Sequence, residues 1–153
     1  MKGRVVFQGN NVKDQNWNAA VFQEISSCPS TMESAKAGDC YGLLPGHTCQ
    51  QADGERAYTQ ALFKGTSTWI ELPRHRWPKG WAQKRFVRPV SPLLLALYGH
   101  ADSGGYWELH CEAHLLSVGF TKVDEVWHSC FWHAGLSLFL VCLLYTSPSP
   151  RDS

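Results

Sequence analysis

The chain has 153 residues, of which 44% are hydrophobic and 18% charged, and its formal net charge is +1. These values are typical of one globular domain with a buried core, and they exclude a strong long-range attraction of the whole chain to nucleic acid or membranes. The longest apolar run, residues 136–145, is far shorter than the ~20 residues that a membrane helix needs. The polar N-terminus has no apolar stretch of a secretory signal, and the six irregularly spaced cysteines predict reduced thiols. We therefore expect an intracellular protein that is not secreted.

The N-terminal part of the sequence predicts a strand followed by a helix. Residues 3–9 place three β-forming side chains between two glycines, which is typical of a strand. Residues 27–46 predict a helix because their apolar positions recur near helical spacing. Ser30 and Glu33 have the spacing of a capping box at the start of this helix.

Asp53 is the candidate for metal-dependent chemistry. Residues 47–53 are predicted as a short strand that ends at Asp53, and residues 55–63 as a turn or helix. Carboxylates hold divalent metal ions, which shield phosphate charge and activate the attacking hydroxyl in nucleotidyl transfer. The alternative is structural, because aspartate is favoured as a helix N-cap and the pattern alone favours that role.

The next part of the chain predicts a strand, a loop and a helix. Residues 67–73 are rich in β-forming side chains, and the three prolines and one glycine of residues 73–89 predict a loop. Residues 103–120 predict the clearest helix, with Gly119 as its C-terminal stop. The residues predicted to share the apolar face of this helix are Trp107, Cys111, His114, Leu115 and Val118.

Residues 130–141 predict a β-hairpin. Two runs of β-forming residues surround Ala134 and Gly135, and residues 136–141 are expected to pair with the segment around Phe131. The predicted order of elements is strand, helix, strand, helix, strand, helix and hairpin. This order indicates an α+β domain rather than a doubly wound sheet.

Histidines in the second half of the chain raise a zinc hypothesis. His110 and His114 lie four residues apart on one face of the predicted helix, a spacing that suits zinc. The glutamate between them is not at the position that the helical zinc-protease pattern requires, and we interpret His114 as a core or boundary histidine. His128 and Cys130 alternate with His133 across a strand, which indicates packing rather than joint ligation.

The predicted loop over residues 73–89 is both basic and aromatic. Its cations suit phosphates and its rings suit base stacking, so a nucleic-acid contact is one interpretation. A solvated loop is the other. The basic residues are Arg74, Arg76, Lys79, Lys84, Arg85 and Arg88, and the aromatic residues are Trp77, Trp81 and Phe86.

The segment around Asp53 resembles a catalytic motif. Residues 51–61, QADGERAYTQA, are similar to the first motif of reverse transcriptases, Asp-x-x-x-Ala-aromatic, in the form of copia-type retrotransposons. Asp53, Ala57 and Tyr58 match it in type and spacing. Four other segments resemble the same family in the expected order: KGRVVFQGN, LYGHADSGGYW, HLLSVGF and CFWHAGLSLFLV. Their matching residues are Lys2, Arg4, Val6 and Gly9 in the first, and Leu97, Tyr98, Gly99 and Trp107 in the second.

The resemblance implies that residues 1–141 belong to an RNA-directed DNA polymerase. The implied fold is a partial right-hand polymerase, fingers and the first half of the palm, with a mixed or antiparallel sheet and packed helices. Asp53 is implied as the catalytic residue and Mg²⁺ ligand, and Tyr58 as the residue that packs under the sugar and excludes a 2′-hydroxyl. The implied substrate-binding residues are Lys2, Arg4, Tyr58, Tyr98 and Gly99. The implied partners are an RNA template, a DNA primer and deoxynucleotides, within a larger polyprotein that acts in a cytoplasmic particle or the nucleus.

The sequence also departs from the family. Residues 100–105, HADSGG, replace the usual loop, and the second catalytic motif, aromatic-x-Asp-Asp, does not follow residues 136–141. Residues 142–153 instead resemble a translated sequencing adaptor, and we predict a non-native, disordered tail there; a genuine disordered tail is the alternative. We therefore predict a fragment that is inactive as given. The alternative function is a non-catalytic nucleic-acid-binding or zinc-binding module.

Overall fold

The computed structural model describes residues 6–21 and 30–142. Lys2, Arg4 and residues 143–153 lie outside the described residues, as does the first part of the strand predicted over residues 3–9. No helix in the described ranges is long and apolar enough to cross a bilayer.

The first helix, α1, spans Met32–Gly42 and begins one residue later than the capping box predicted. Thr31 is its N-cap, and the Thr31 hydroxyl accepts a hydrogen bond from the Ser34 amide at 3.2 Å. The Ser34 hydroxyl donates in return to the Thr31 carbonyl at 2.8 Å. Ser34, rather than Glu33, therefore completes the cap, and it is fully buried.

The second helix, α2, spans Ser103–Ser117 and confirms the clearest helix prediction. Gly119 ends it with a φ of +99°, a left-handed conformation that glycine adopts readily. The predicted apolar face is only partly right. Leu115 is buried as expected, but Val118 is half exposed, and Tyr106 near the start of the helix is buried instead.

Five short strands form two antiparallel sheets in the described residues, which confirms an α+β fold. They are β1 (Trp69–Glu71), β2 (Val90–Pro92), β3 (Thr121–Lys122), β4 (Cys130–His133) and β5 (Leu138–Val141). β1 pairs with β2, and the second sheet has the order β3-β4-β5. The predicted hairpin is confirmed: Phe131 pairs with Leu140, and a short 3-10 helix, Ala134–Leu136, joins the two strands.

One predicted strand does not form, and the described part of another is not a strand. Residues 47–53 have no regular structure, and neither do residues 6–8. A strand is stable only when a partner satisfies its backbone groups, and no strand of the described residues pairs with either segment.

The buried side chains form two clusters that α2 connects. The first contains Ala61, Ala96 and Tyr106, with Tyr58 and Phe63 packed against it. The second contains Leu115, Phe120 and Phe131, with Cys111 and Leu140 packed against it. Because Tyr106 and Leu115 belong to the same helix, α2 fixes the position of the hairpin relative to the segment that carries Tyr58.

Candidate functional site

Asp53 lies on an exposed segment without regular structure. The predicted strand end at this position is therefore wrong. The alternative role as a helix N-cap is also not observed, because the following 3-10 helix, Ala57–Gln60, has Arg56 as its N-cap. The Asp53 carboxylate therefore neither ends a strand nor caps a helix. It is exposed to solvent, as a metal ligand must be before it binds an ion.

Tyr58 and Tyr98, from two different motifs of the sequence, are brought into contact. Their ring centroids are 4.6 Å apart with an interplanar angle of 56°. Tyr58 is half-buried; burial raises its pKa above the usual value, and the neighbouring Tyr98 raises it further. Both causes disfavour the phenolate, so Tyr58 presents a neutral ring and hydroxyl.

A short backbone pairing positions these two tyrosines. The Ala96 amide donates to the Ala61 carbonyl at 2.9 Å, and the Phe63 amide donates to the Leu94 carbonyl at 2.9 Å. The two chain segments therefore run side by side from residue 61 to residue 63. Tyr58 precedes one segment and Tyr98 follows the other, so antiparallel pairing places their rings at the same end.

Gly99 lies in close contact with the backbone of the N-terminal segment. Its φ is +91°, and an added Cβ would collide with the Phe7 carbonyl oxygen. The Phe7 amide donates to the Tyr98 carbonyl at 2.6 Å. An added Cβ on Gly9 would lie 2.5 Å from the Gly99 carbonyl oxygen. Only glycine at residues 9 and 99 permits this close approach of two backbones.

The loop that carries Asp53 passes beside α2. A Cβ built on Gly54 would lie 3.7 Å from Cζ2 of Trp107 and 3.6 Å from Cβ of Ala57. Trp107 therefore borders the segment next to Asp53. Gly9, Gly54, Tyr58, Tyr98, Gly99 and Trp107 are the residues through which three of the motif segments meet.

Two buried polar residues beneath this junction were missed by the sequence analysis. The Ser103 hydroxyl donates to the Leu97 carbonyl at 2.7 Å and accepts from the Leu97 amide at 3.0 Å. The His100 ring lies 5.0 Å from Phe7 and 4.8 Å from Phe63. Burial lowers the pKa of His100, while the Asp102 carboxylate partly opposes that shift. Residues 100–105 therefore support the junction, a role that their composition does not signal.

The described residues do not form a complete metal site. No group of three or more histidine, cysteine, aspartate or glutamate side chains in the described ranges could hold an ion. His110 and His114 are both exposed, so the interpretation of His114 as a core or boundary histidine is wrong. The described residues provide no third ligand for the zinc hypothesis. Asp53 alone does not meet the ligand requirement of Mg²⁺ chemistry.

A cleft of about 600 Å³ lies between α2 and the three-stranded sheet, and three cysteines line it. The Cys111 thiol is hydrogen-bonded to Cys142, which lowers the pKa of Cys111 to about 7 and raises that of Cys142. Cys130, the third, is buried. The sequence showed no signal for this arrangement, because the three residues meet only through tertiary packing.

We expect Cys111 to react with iodoacetamide with a pH midpoint of about 7, because the Cys142 thiol donates to the Cys111 thiolate. Peptide mapping by mass spectrometry after timed alkylation would give the midpoint, with the exposed Cys40 and Cys49 as internal references. Cys142→Ala removes the donor and should move the midpoint toward the usual 9.0. An unchanged midpoint in that variant would show that the hydrogen bond is not the cause.

Comparisons with known proteins do not assign the chain to a family. No protein-family model, no curated protein and no solved structure matches the chain. The function of the chain is therefore inferred from its own residues.

Proposed function

We propose that the chain is the N-terminal part of a copia-type retrotransposon reverse transcriptase, comprising the fingers and the first half of the palm. One observation carries the proposal: three of the segments that resemble the family meet in space. The ring centroids of Tyr58 and Tyr98 are 4.6 Å apart, and Gly9 and Gly99 approach so closely that neither tolerates a side chain. Such a meeting of the motif segments is what a shared nucleotide site requires.

The proposed roles follow the positions of these residues. Asp53 is the metal-binding carboxylate, and its exposure leaves it accessible to an ion and a triphosphate. Tyr58 is the residue under the incoming sugar, with Tyr98 holding its ring from the other side. Gly99 lets the N-terminal segment dock beside them. Lys2 and Arg4, proposed to contact nucleotide phosphates, lie outside the described residues.

The α+β fold is compatible with this proposal. Two α-helices and two small antiparallel sheets in the described residues correspond in class to the fingers and palm of a right-hand polymerase. The proposed partners are an RNA template, a DNA primer and deoxynucleotides, and the proposed setting is a larger polyprotein in a cytoplasmic particle or the nucleus.

The fragment as given is proposed to be inactive. In an intact enzyme Mg²⁺ would shield the triphosphate and activate the primer hydroxyl, but this requires several carboxylates around two ions. The sequence has no Asp-Asp pair, and the described residues provide no complete metal site. Asp53 alone leaves the ions without the ligands that would hold them against a triphosphate.

We expect no primer extension on an RNA template with Mg²⁺ or Mn²⁺, because a single carboxylate does not support two-metal catalysis. The test is paired with sequencing of the genomic DNA downstream of codon 141. A codon series for aromatic-x-Asp-Asp is expected there, and a chain extended through it should polymerise and lose that activity on Asp53→Ala.

Genomic DNA that encodes TSPSPRDS would contradict the non-native tail, and the chain would then be a naturally truncated product. Polymerisation by the chain as given that Asp53→Ala abolishes would contradict the proposed inactivity, since one carboxylate would then suffice. An extended chain that does not polymerise would contradict the proposed polymerase function. The Glu55→Ala variant removes an exposed acid two residues from Asp53 and serves as the matched control in the extended chain.

A further inference from the structure

Positive charge is concentrated in one short segment of the chain. Residues 73–89 hold six of the fourteen lysines and arginines and none of the thirteen acidic residues. The rest of the chain therefore carries a net charge of −5, although the whole chain carries +1. A near-neutral chain with this separation of charge attracts anions at one place and repels them elsewhere.

Most of this charge is not neutralised within the protein. Arg88 forms a salt bridge with Glu71 at 2.7 Å. In the described part of the chain, no salt bridge to an acidic side chain involves the other five cations, which are Arg74, Arg76, Lys79, Lys84 and Arg85. All five are exposed. They remain available to an anionic partner.

Aromatic packing gives the segment a defined shape. The Trp77 indole N–H donates to the Leu72 carbonyl at 2.9 Å, which anchors the ring to the end of β1. Trp77 packs edge-on against Trp81, with centroids 6.3 Å apart, and Trp81 packs edge-on against Phe86 at 5.6 Å. The three rings thus form a continuous row, and the Arg74 guanidinium lies 5.6 Å from the centroid of the Trp77 ring.

A cleft of about 640 Å³ opens beside this row of rings. Its lining combines the cationic side chains Arg74 and Arg85 with His75 and with the rings of Trp77 and Phe86. Phe86 is 41% exposed, so part of its ring surface is open to a ligand. This volume is in the range of sites for small ligands, and it suits a nucleotide unit with one phosphate and one base.

We propose that residues 73–89 form a binding surface for single-stranded nucleic acid. Arg74, Arg85 and the neighbouring cations neutralise successive phosphates, and an unstacked base packs on Phe86. A single strand fits better than a duplex because the bases of a duplex are already stacked. The surface does not depend on the proposed polymerase function, because none of the motif segments of that family includes these residues.

The test is fluorescence anisotropy of the full chain with a labelled single strand of mixed sequence, over a range of salt. If five phosphates are neutralised, the affinity should fall roughly 100-fold between 50 and 200 mM salt. Arg74→Gln with Arg85→Gln should weaken binding roughly 20-fold at 0.1 M salt. Phe86→Leu keeps an apolar side chain but removes the ring, and it should cost about 5-fold or more.

The matched control is Lys13→Gln with Lys64→Gln. It removes the same charge from two exposed lysines elsewhere, one of which lies 5.3 Å from the ring of Trp17. It should weaken binding by less than about 3-fold. Equal losses from the control and the loop variant would overturn the proposal, since the attraction would then be non-specific.

The Arg85→Gly variant tests binding without a loss of folding stability. Arg85 has a φ of 52°, a left-handed conformation in which glycine is at least as stable. This variant should bind less tightly with no loss in the free energy of unfolding.

Three results would overturn the proposal: unchanged binding by Arg85→Gly, equal affinity for duplex and single strand with no effect of Phe86→Leu, or binding to phosphatidylserine vesicles but not to the oligonucleotide. The binding assay contains no primer and no deoxynucleotide, so its result is independent of the polymerase test.

Discussion

Replacing Gly99 with alanine is expected to lower the free energy of unfolding by ~2–5 kcal/mol, the sum of two costs. The left-handed backbone at a φ of +91° disfavours any residue with a Cβ. The added methyl group also collides with the Phe7 carbonyl oxygen, so the N-terminal segment must move away. Urea unfolding followed by tryptophan fluorescence would measure the loss. Hydrogen exchange would report the segment directly, because the Phe7 amide donates to Tyr98 and should lose its protection.

Gly46 provides the matched control for Gly99. Its φ is +82°, yet no atom lies within 4 Å of where a Cβ would be. Gly46→Ala therefore incurs only the backbone cost, roughly 1–2 kcal/mol, and leaves exchange at Phe7 unchanged. Equal destabilisation by the two variants would mean that the N-terminal segment does not dock on Gly99, and the convergence of motifs behind the proposed function would be lost.

Replacing Phe131 with alanine should destabilise the second cluster by ~3–5 kcal/mol. The ring is 4% exposed, contributes to the cluster with Leu115 and Phe120, and lies on β4 opposite Leu140. The described residues bury few large side chains, so Phe131 contributes a large share of the apolar surface buried there. Domains of this size have only about 5–15 kcal/mol of stability in total. Circular dichroism during thermal unfolding would measure the loss.

The control for Phe131 is Leu138→Ala on the neighbouring strand β5. Leu138 is 43% exposed, so its truncation removes little buried surface and should cost less than about 1 kcal/mol. A comparable loss from both variants would indicate that the hairpin, rather than its contact with α2, determines stability. The Cys111 alkylation midpoint offers a second readout, because only Phe131→Ala should loosen the junction between α2 and the sheet.

The elements that could be predicted from the sequence are those whose stability is local. α2 has apolar residues at helical spacing and a glycine stop, and the hairpin joins two apolar runs across the short connection of residues 134–137. Each of these signals lies within about twenty residues. The start of α1 was predicted one residue too early because Ser30 and Thr31 are equally suited to cap a helix. Only the backbone angles distinguish these two residues.

The candidate site could be predicted only in part, because it depends on tertiary contacts. The motif spacing identified Tyr58, Tyr98 and Gly99, and the structure brings these residues together. The strand expected to end at Asp53 failed because strand formation requires a partner that a single segment does not reveal. His100 and Ser103 were missed because a buried polar residue on a loop or in the first turn of a helix resembles an exposed one until its contacts are known.

The position of β5 at the edge of its sheet has a consequence for how the chain behaves in a cell. Within the described residues, no strand pairs with the outer side of β5, and its sequence, LFLV, contains neither a charge nor a proline. Natural edge strands usually carry such residues because they block the addition of a strand from another molecule. We therefore expect the β5 edges of two copies to pair at high concentration, and slow synthesis at low temperature to reduce aggregation.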